Sequence, residues 1–184
     1  MQLETERLLL RLPEPGDVDA YAEFFADPEV VRYTGGVTKS RKETTRTVEA
    51  MRRHWERHRL GLFSVVRKQD SRLLGRAGFL LWDASTWRNA LHFELAEPLE
   101  TEIGWTFGHP YWGRGYATEA ALAALQWGFR ERGLRRVISL IQRENAASIR
   151  VAEKLGELLE QRDLPGPFVA TVDLYALTLE TPAR

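Results

Sequence analysis

The chain has 184 residues, and 26 lysines and arginines balance 26 aspartates and glutamates, so net charge gives no field pointing to nucleic acid or to a membrane surface. Apolar content of 43% with 28% charged residues is that of a globular chain with a sizeable core, expected as one domain over 1–184. There is no cysteine, which excludes disulfides, thiolate metal sites and a cysteinyl acyl-enzyme. In chain order, Leu8 to Leu12 reads as the first strand. Pro15-Gly16-Asp17 opens a helix, with Asp17 as N-cap, that stops before Asp27-Pro28. Gly35-Gly36 is a break, and Ser40 to Arg59 a second helix. His54 and His58 on it stand at i, i+4, a spacing that could suit a metal; no third ligand is evident, so a solvated face is the preferred reading and no metal is expected. Leu62 to Arg67 and Leu73 to Trp82 form a hairpin around Asp70. Asp83 to Leu99 is irregular, and Thr101 to Phe107 is a strand. Gly115 to Arg132 is a helix ended by Gly133, Arg136 to Ile141 a strand, and Ala146 to Leu155 a helix ended by Gly156. Two last strands are read at Leu158 to Arg162 and Phe168 to Leu179. No signal peptide or long apolar run appears, so a cytoplasmic location is expected.

The most informative stretch is Tyr111 to Ala121, YWGRGYATEAA. It places Gly113 and Gly115 between a strand and a helix, the layout that presents backbone N–H groups to a phosphate at a helix N-terminus. Ala117, Ala120, Ala121 and Ala124 give that helix a small-residue face, and Leu122, Leu125 and Phe129 an apolar stripe. A dinucleotide fingerprint is disfavoured because Thr118 stands where its third glycine belongs, and no P-loop is present. A purely structural turn is the plain alternative. Further on, Asn145 and Ser148 share a helix face at i, i+3, with Asn145 also able to cap the helix, and Arg150 and Lys154 at i, i+4 could meet a phosphate.

Together these residues resemble the GNAT superfamily of acyl-CoA-dependent N-acetyltransferases, of the RimJ/RimL type. The resemblance runs from LETERLLLRLPEPGDVDAYAEFFADPEVVRY through EIGWTF and PYWGRGYATEAALAALQWGF to RENAASIRVAEKLG. It implies an α/β (α+β) GNAT fold, a mixed, mostly antiparallel sheet of about seven strands with about four helices. Acetyl-CoA is the implied acetyl donor, and no metal is involved. By the resemblance, backbone groups over Trp112, Gly113, Arg114, Gly115, Tyr116 and Ala117 hold the pyrophosphate. Trp105, Thr106 and Phe107 would pair with the pantetheine arm, Asn145 would contact it, and Arg150 is added as a phosphate contact. The tyrosine that serves many members as general acid is replaced by Ala152. Ser148 is the substitute read here, and Glu102 matches an acid that draws the amine proton through water in some relatives.

The implied partners are acetyl-CoA and an amine acceptor, with neither nucleic acid nor membrane, and a homodimer remains open. Without a cysteine carrier, direct attack in a ternary complex is the economical mechanism. Deprotonating an α-amine at pH 7 costs about 1 kcal/mol, and a lysine about 4.6 kcal/mol. One carboxylate and a water therefore suit a protein or peptide N-terminus or a small amino compound. Glu94, Glu97, Glu100 and Glu102 stand near the presumed amine entrance, as a cation-attracting or merely solvated acidic run. A non-catalytic acyl-CoA sensor or interaction module is the alternative reading.

Overall fold

Alternating apolar residues build a single eight-stranded sheet in the computed structural model, which describes residues 1–164 and 171–179. The strands are β1 (Gln2–Glu4), β2 (Leu8–Arg11), β3 (Leu62–Arg67), β4 (Arg72–Asp83), β5 (Leu99–Phe107), β6 (Arg136–Ile141), β7 (Leu158–Leu164) and β8 (Val172–Thr178), in the order β1-β2-β3-β4-β5-β6-β8-β7. All neighbours are antiparallel except β5 and β6. The helices are α1 (Val18–Ala26), α2 (Pro28–Val31), α3 (Arg41–His58), α4 (Tyr116–Glu131) and α5 (Ala146–Leu155).

Because side chains alternate along a strand, each face of the sheet has its own core. On one face Val18, Tyr21, Phe24, Phe25, Val48 and Met51 of α1 and α3 pack on Leu62 and Leu73. On the other, the fully buried Ala120, Ala121 and Ala124 let α4 lie close against Phe79 and Ile103. A cluster of Trp55, Phe63 and Trp127 closes the end of that core, with ring centroids 4.7 to 5.8 Å apart.

Several expectations are corrected. Edge strand β1 and the short α2 were not foreseen; three residues or one turn carry too little periodicity to read. Asp17 stands at the N-cap of α1 as expected, but its side chain makes no cap bond to that helix and instead accepts the Glu14 N–H at 2.9 Å. Its carboxylate is drawn inward by Arg11 (2.5 and 2.8 Å) and by the Ser64 hydroxyl (2.7 Å), which ties β2, β3 and the start of α1 together. His54 is not solvated: it is 3% exposed, and its Nδ1 bonds the Leu60 carbonyl at 2.7 Å, pinning the turn after α3. Burial lowers its pKa to about 4, so it stays neutral. No group of ligating residues arranged for a metal occurs among the described residues. The final strand is described as Val172–Thr178; the earlier part of the predicted segment, from 168 to 170, lies outside the described residues.

Candidate active site

The parallel pair of β5 and β6 touches in register at only one point, Glu102 opposite Ile138. Beyond it the strands diverge. Ile103 receives the Ser139 hydroxyl on its carbonyl at 2.8 Å, and the edge of β5 at Trp105 and Thr106 opens toward a cavity of about 530 Å³. A second cavity of about 210 Å³ lies on the opposite side of the same divergence. Tyr33, Thr34, Trp105, Thr106, Asn145 and Ser148 line both, so the two meet there. The Tyr33 hydroxyl donates to the Glu144 carbonyl at 3.4 Å, bridging α2 and the start of α5 over the junction.

The larger cavity holds the glycine loop. Gly113 and Gly115 have φ of 70° and 79°, left-handed values that suit glycine, and Gly115 is the N-cap of α4. No hydrogen bond reaches the backbone N–H groups from 113 to 118 among the described residues. A run of free donors on a helix N-terminus is suited to a phosphate anion. The loop is braced from outside. Arg7 donates to the Arg114 carbonyl at 3.0 Å, forms an ion pair with Glu119 at 2.6 Å and lies over the Tyr116 ring. Trp112 Nε1 donates to the Phe107 carbonyl at 2.7 Å, so its side chain locks the end of β5 to the loop. Phe107, Trp112, Gly113, Gly115, Tyr116 and Ala117 all line this cavity, and Arg150 and Lys154 line its outer part. Arg114 does not, since its side chain is exposed and its carbonyl is held outward by Arg7. Asn145 caps α5 through Oδ1, which accepts the Ser148 N–H at 3.1 Å; its amide nitrogen makes no bond among the described residues.

The smaller cavity holds Glu102. Trp82 Nε1 donates to its Oε2 at 2.7 Å. Burial raises its pKa to about 7, against the lowering effect of Trp82, of the Leu140 N–H and of the Arg76 charge. A carboxylate with a pKa near 7 is matched to general-base work at neutral pH. Two other acids of the expected entrance are elsewhere: Glu94 pairs with Arg57 and Glu100 with Arg136, and neither lines these two cavities. Besides Glu102, the smaller cavity is lined by Lys39, Arg76 and His92.

Behind Glu102 sits a second carboxyl that the sequence reading missed. Glu157 is 2% exposed, its Oε1 lies 3.1 Å from the Ser139 hydroxyl and its Oε2 has no partner. Burial raises its pKa to about 8, with Ser139 opposing and the Glu102 charge adding. A raised acid pKa means that the stabilising contribution is complete below about 4.5 and is lost as pH rises through about 8. Glu157→Gln keeps the shape and has no proton to lose. Its thermal midpoint should exceed the wild type's by a few degrees at pH 9 and match it near pH 5; equal midpoints at both would show Glu157 to be ionised in the fold.

A split parallel pair, a glycine loop on a helix N-terminus and a second cavity ending in a carboxylate define an acyl-transfer architecture, and the comparisons agree. The family model described as an acetyltransferase (GNAT) domain matches residues 7–157, and the chain belongs to the GNAT acetyltransferase family. It is an N-acetyltransferase of that family. It is 32% identical over 157 residues to the uncharacterized N-acetyltransferase YnaD of Bacillus subtilis (strain 168), covering 85% of this chain and 82% of the other. An acetyltransferase (GNAT family) from Bacillus anthracis superposes with a TM-score of 0.74 at 31% identity, covering 97% and 98% of the two chains. RimL, a ribosomal alpha-N-protein acetyltransferase solved in complex with coenzyme A, shares the fold with a TM-score of 0.76 at 18% identity over 97% and 98%. No helix among the described residues is long and apolar enough to cross a membrane.

Proposed function

We propose that the chain transfers an acetyl group from acetyl-CoA directly to a primary amine of moderate basicity, a protein or peptide N-terminus or a small amino compound. The observation that carries this reading is the meeting of two cavities at Ser148 and Asn145, one carrying the free N–H donors, the other ending in Glu102. The donor fits the first cavity by chemistry. The N–H groups from 113 to 118 suit its pyrophosphate, the open edge of β5 at Trp105 and Thr106 suits the amides of its arm, and the free Asn145 nitrogen adds one donor. Bound there, acetyl-CoA supplies an activated thioester at the junction.

The protein's own groups then divide the proton work. Glu102, half ionised at pH 7 and ionised above it, takes the amine proton through a water, an arrangement adequate for an α-amine and poorly matched to lysine. The Ser148 hydroxyl, which lines both cavities, stands where it can hold a proton for the departing thiolate. Ala152 is fully buried and takes no part. The absence of cysteine leaves direct attack as the simplest route.

Incubation with acetyl-CoA and a panel of peptides and small amines, read by thiol release and mass spectrometry, tests the reading. N-terminal or small-amine acetylation is the expected result. Acetyl groups only on internal lysines, with free N-termini untouched, would overturn the acceptor class. Binding of acetyl-CoA without turnover of any amine would favour the non-catalytic sensor. Ser148→Ala should lower kcat about 10²-fold, the low end for loss of a general acid, because a thiolate leaves readily. Its affinity for acetyl-CoA should be unchanged; a kcat within threefold of wild type would remove Ser148 from the proton path.

A further inference from the structure

The smaller cavity contains an electrostatic imbalance that amine acetylation by itself does not require. Lys39 Nζ and the Arg76 guanidinium each stand 5.1 Å from the centre of the same ring, Phe25, so two cations share one buried aromatic platform. Neither belongs to an ion pair among the described residues. Lys39 donates to the Thr47 hydroxyl at 3.1 Å, and Arg76 reaches only the Met51 sulfur at 3.7 Å. Other arginines, Arg7, Arg11, Arg67, Arg136 and Arg143, meet carboxylates within 3.3 Å, whereas arginines without such a partner, such as Arg46, Arg59 and Arg114, are exposed. Glu43 lowers the field at Lys39 only from outside, its carboxylate being engaged at Ser40 in the cap of α3.

Leaving two cations half-buried and unpaired is costly, and the rings that face them satisfy none of their N–H donors. The strain shows in both groups. Burial, and then the Arg76 charge, lower Lys39 to about 8, and burial lowers Arg76 from its usual value. His92, lining the same cavity, is lowered by burial and then by the two cations, so it adds a neutral ring rather than a counter-charge. Glu102 is the one carboxylate lining this cavity and acts on Arg76 only through its charge, so neither cation has an anion in contact with it among the described residues.

The sheet register says where such an anion would lie. Arg76 stands opposite Thr106, and Leu80 opposite Glu102, so Arg76 and Glu102 share a face of the sheet. They are four residues apart along the strands, roughly 14 Å at ~3.4 Å per residue. Gly104 lies between them on that face and leaves the floor without a side chain. An acceptor can thus place its amine toward Glu102 and a second group toward Arg76.

We propose that Lys39 and Arg76 form an oxyanion-binding subsite in the acceptor cavity, selecting primary amines that carry a carboxylate or phosphate several bonds from the nitrogen. A short peptide with an acidic first or second residue fits this description, as does an acidic amino acid. A polycation such as a polyamine or an aminoglycoside meets two like charges and is rejected. This inference rests on the acetyl-transfer reading for its biological meaning, but the subsite is testable without it.

The test uses acceptor pairs that differ only in the anion: Glu-Ala-Ala against Gln-Ala-Ala, and glutamate against glutamine, with O-phosphoserine as the phosphate arm and spermidine as the polycation. The acidic member of each pair should have at least tenfold higher kcat/KM, carried mainly by KM, and spermidine should be the poorest acceptor. Comparison of glutamate with O-phosphoserine decides between the two anions. Arg76→Gln and Lys39→Gln should each reduce the acid-to-amide ratio several-fold while leaving acetyl-CoA affinity unchanged. Lys39 lies outside the helices and strands, so its variant remains informative where Arg76→Gln fails to fold. Equal rates for acid and amide, preference for spermidine, or ratios untouched by Lys39→Gln would each overturn the subsite while leaving acetyl transfer standing. Calorimetric titration of the CoA-bound protein with the same pairs covers the case of no turnover: selective binding of the acidic member supports the subsite and sinks the catalytic reading, and binding of neither member overturns the subsite.

Discussion

Glu102→Gln should lower kcat at pH 7 by ~10²–10⁴-fold, the range for loss of a positioned general base. The expected loss is in kcat and not in acetyl-CoA affinity, because Glu102 lines the smaller cavity and not the one with the glycine loop. The base works only when ionised, and burial sets its pKa at about 7, so wild-type kcat/KM should rise with pH through about 7. In the variant that limb should vanish, leaving only a limb set by the acceptor amine. Folding gives an independent control. A carboxyl whose pKa is raised from 4.5 to about 7 loses its stabilising contribution as pH rises through 7. The amide should therefore be at least as stable as the wild type at pH 8, and a loss of rate cannot be put down to unfolding. A kcat within a factor of about three, with the limb near 7 retained, would assign the rate to proximity alone.

Gly115→Val should weaken acetyl-CoA binding by roughly 10²-fold or more, since each hydrogen bond to a charged group is worth about 1.5–3 kcal/mol and several donors converge here. The residue has φ of 79° at the N-cap of α4, a left-handed conformation that a β-branched side chain resists. A Cβ there would also stand 3.4 Å from Arg7 Nη2, the group that braces the loop by way of Glu119. To relieve the backbone strain at φ 79°, the loop must rotate and its free N–H groups lose their common direction. Gly113→Ala is the graded control. Its Cβ meets nothing within 4 Å, so only the backbone preference at φ 70° is disturbed and a smaller loss is expected. Calorimetry that finds wild-type affinity in Gly115→Val, with helicity preserved, would remove the loop from the donor site.

The strands β3 and β6 and the helix α5 stand where the residue pattern puts them, because each alternates or repeats with clear stop signals such as Gly156. Gly113-Arg114-Gly115 likewise marks its own loop, since left-handed backbone is a local demand that local sequence reveals. His54 and Asp17 show the opposite case. Both look like surface groups by neighbours in sequence, yet one turns inward to the Leu60 carbonyl and the other to Arg11 and Ser64.

Lys39 and Arg76 of the smaller cavity, and Glu157 beside Ser139, were not legible for the same reason. Arg76 lies in a strand, Lys39 in the segment before α3 and Glu157 just after α5, and nothing near any of them in sequence signals a site. The sequence by itself determined the order of the longer elements, the family and the place of the glycine loop, because periodicity and glycine conformation act over a few residues. Only the tertiary structure decided that β5 and β6 part after a single pair, that two cavities meet at Ser148, and that Glu102 and Glu157 are protonated well above the usual carboxylate range. Desolvation and charge pairing depend on what the folded chain brings alongside a group, and here those neighbours come from strands and helices tens of residues away.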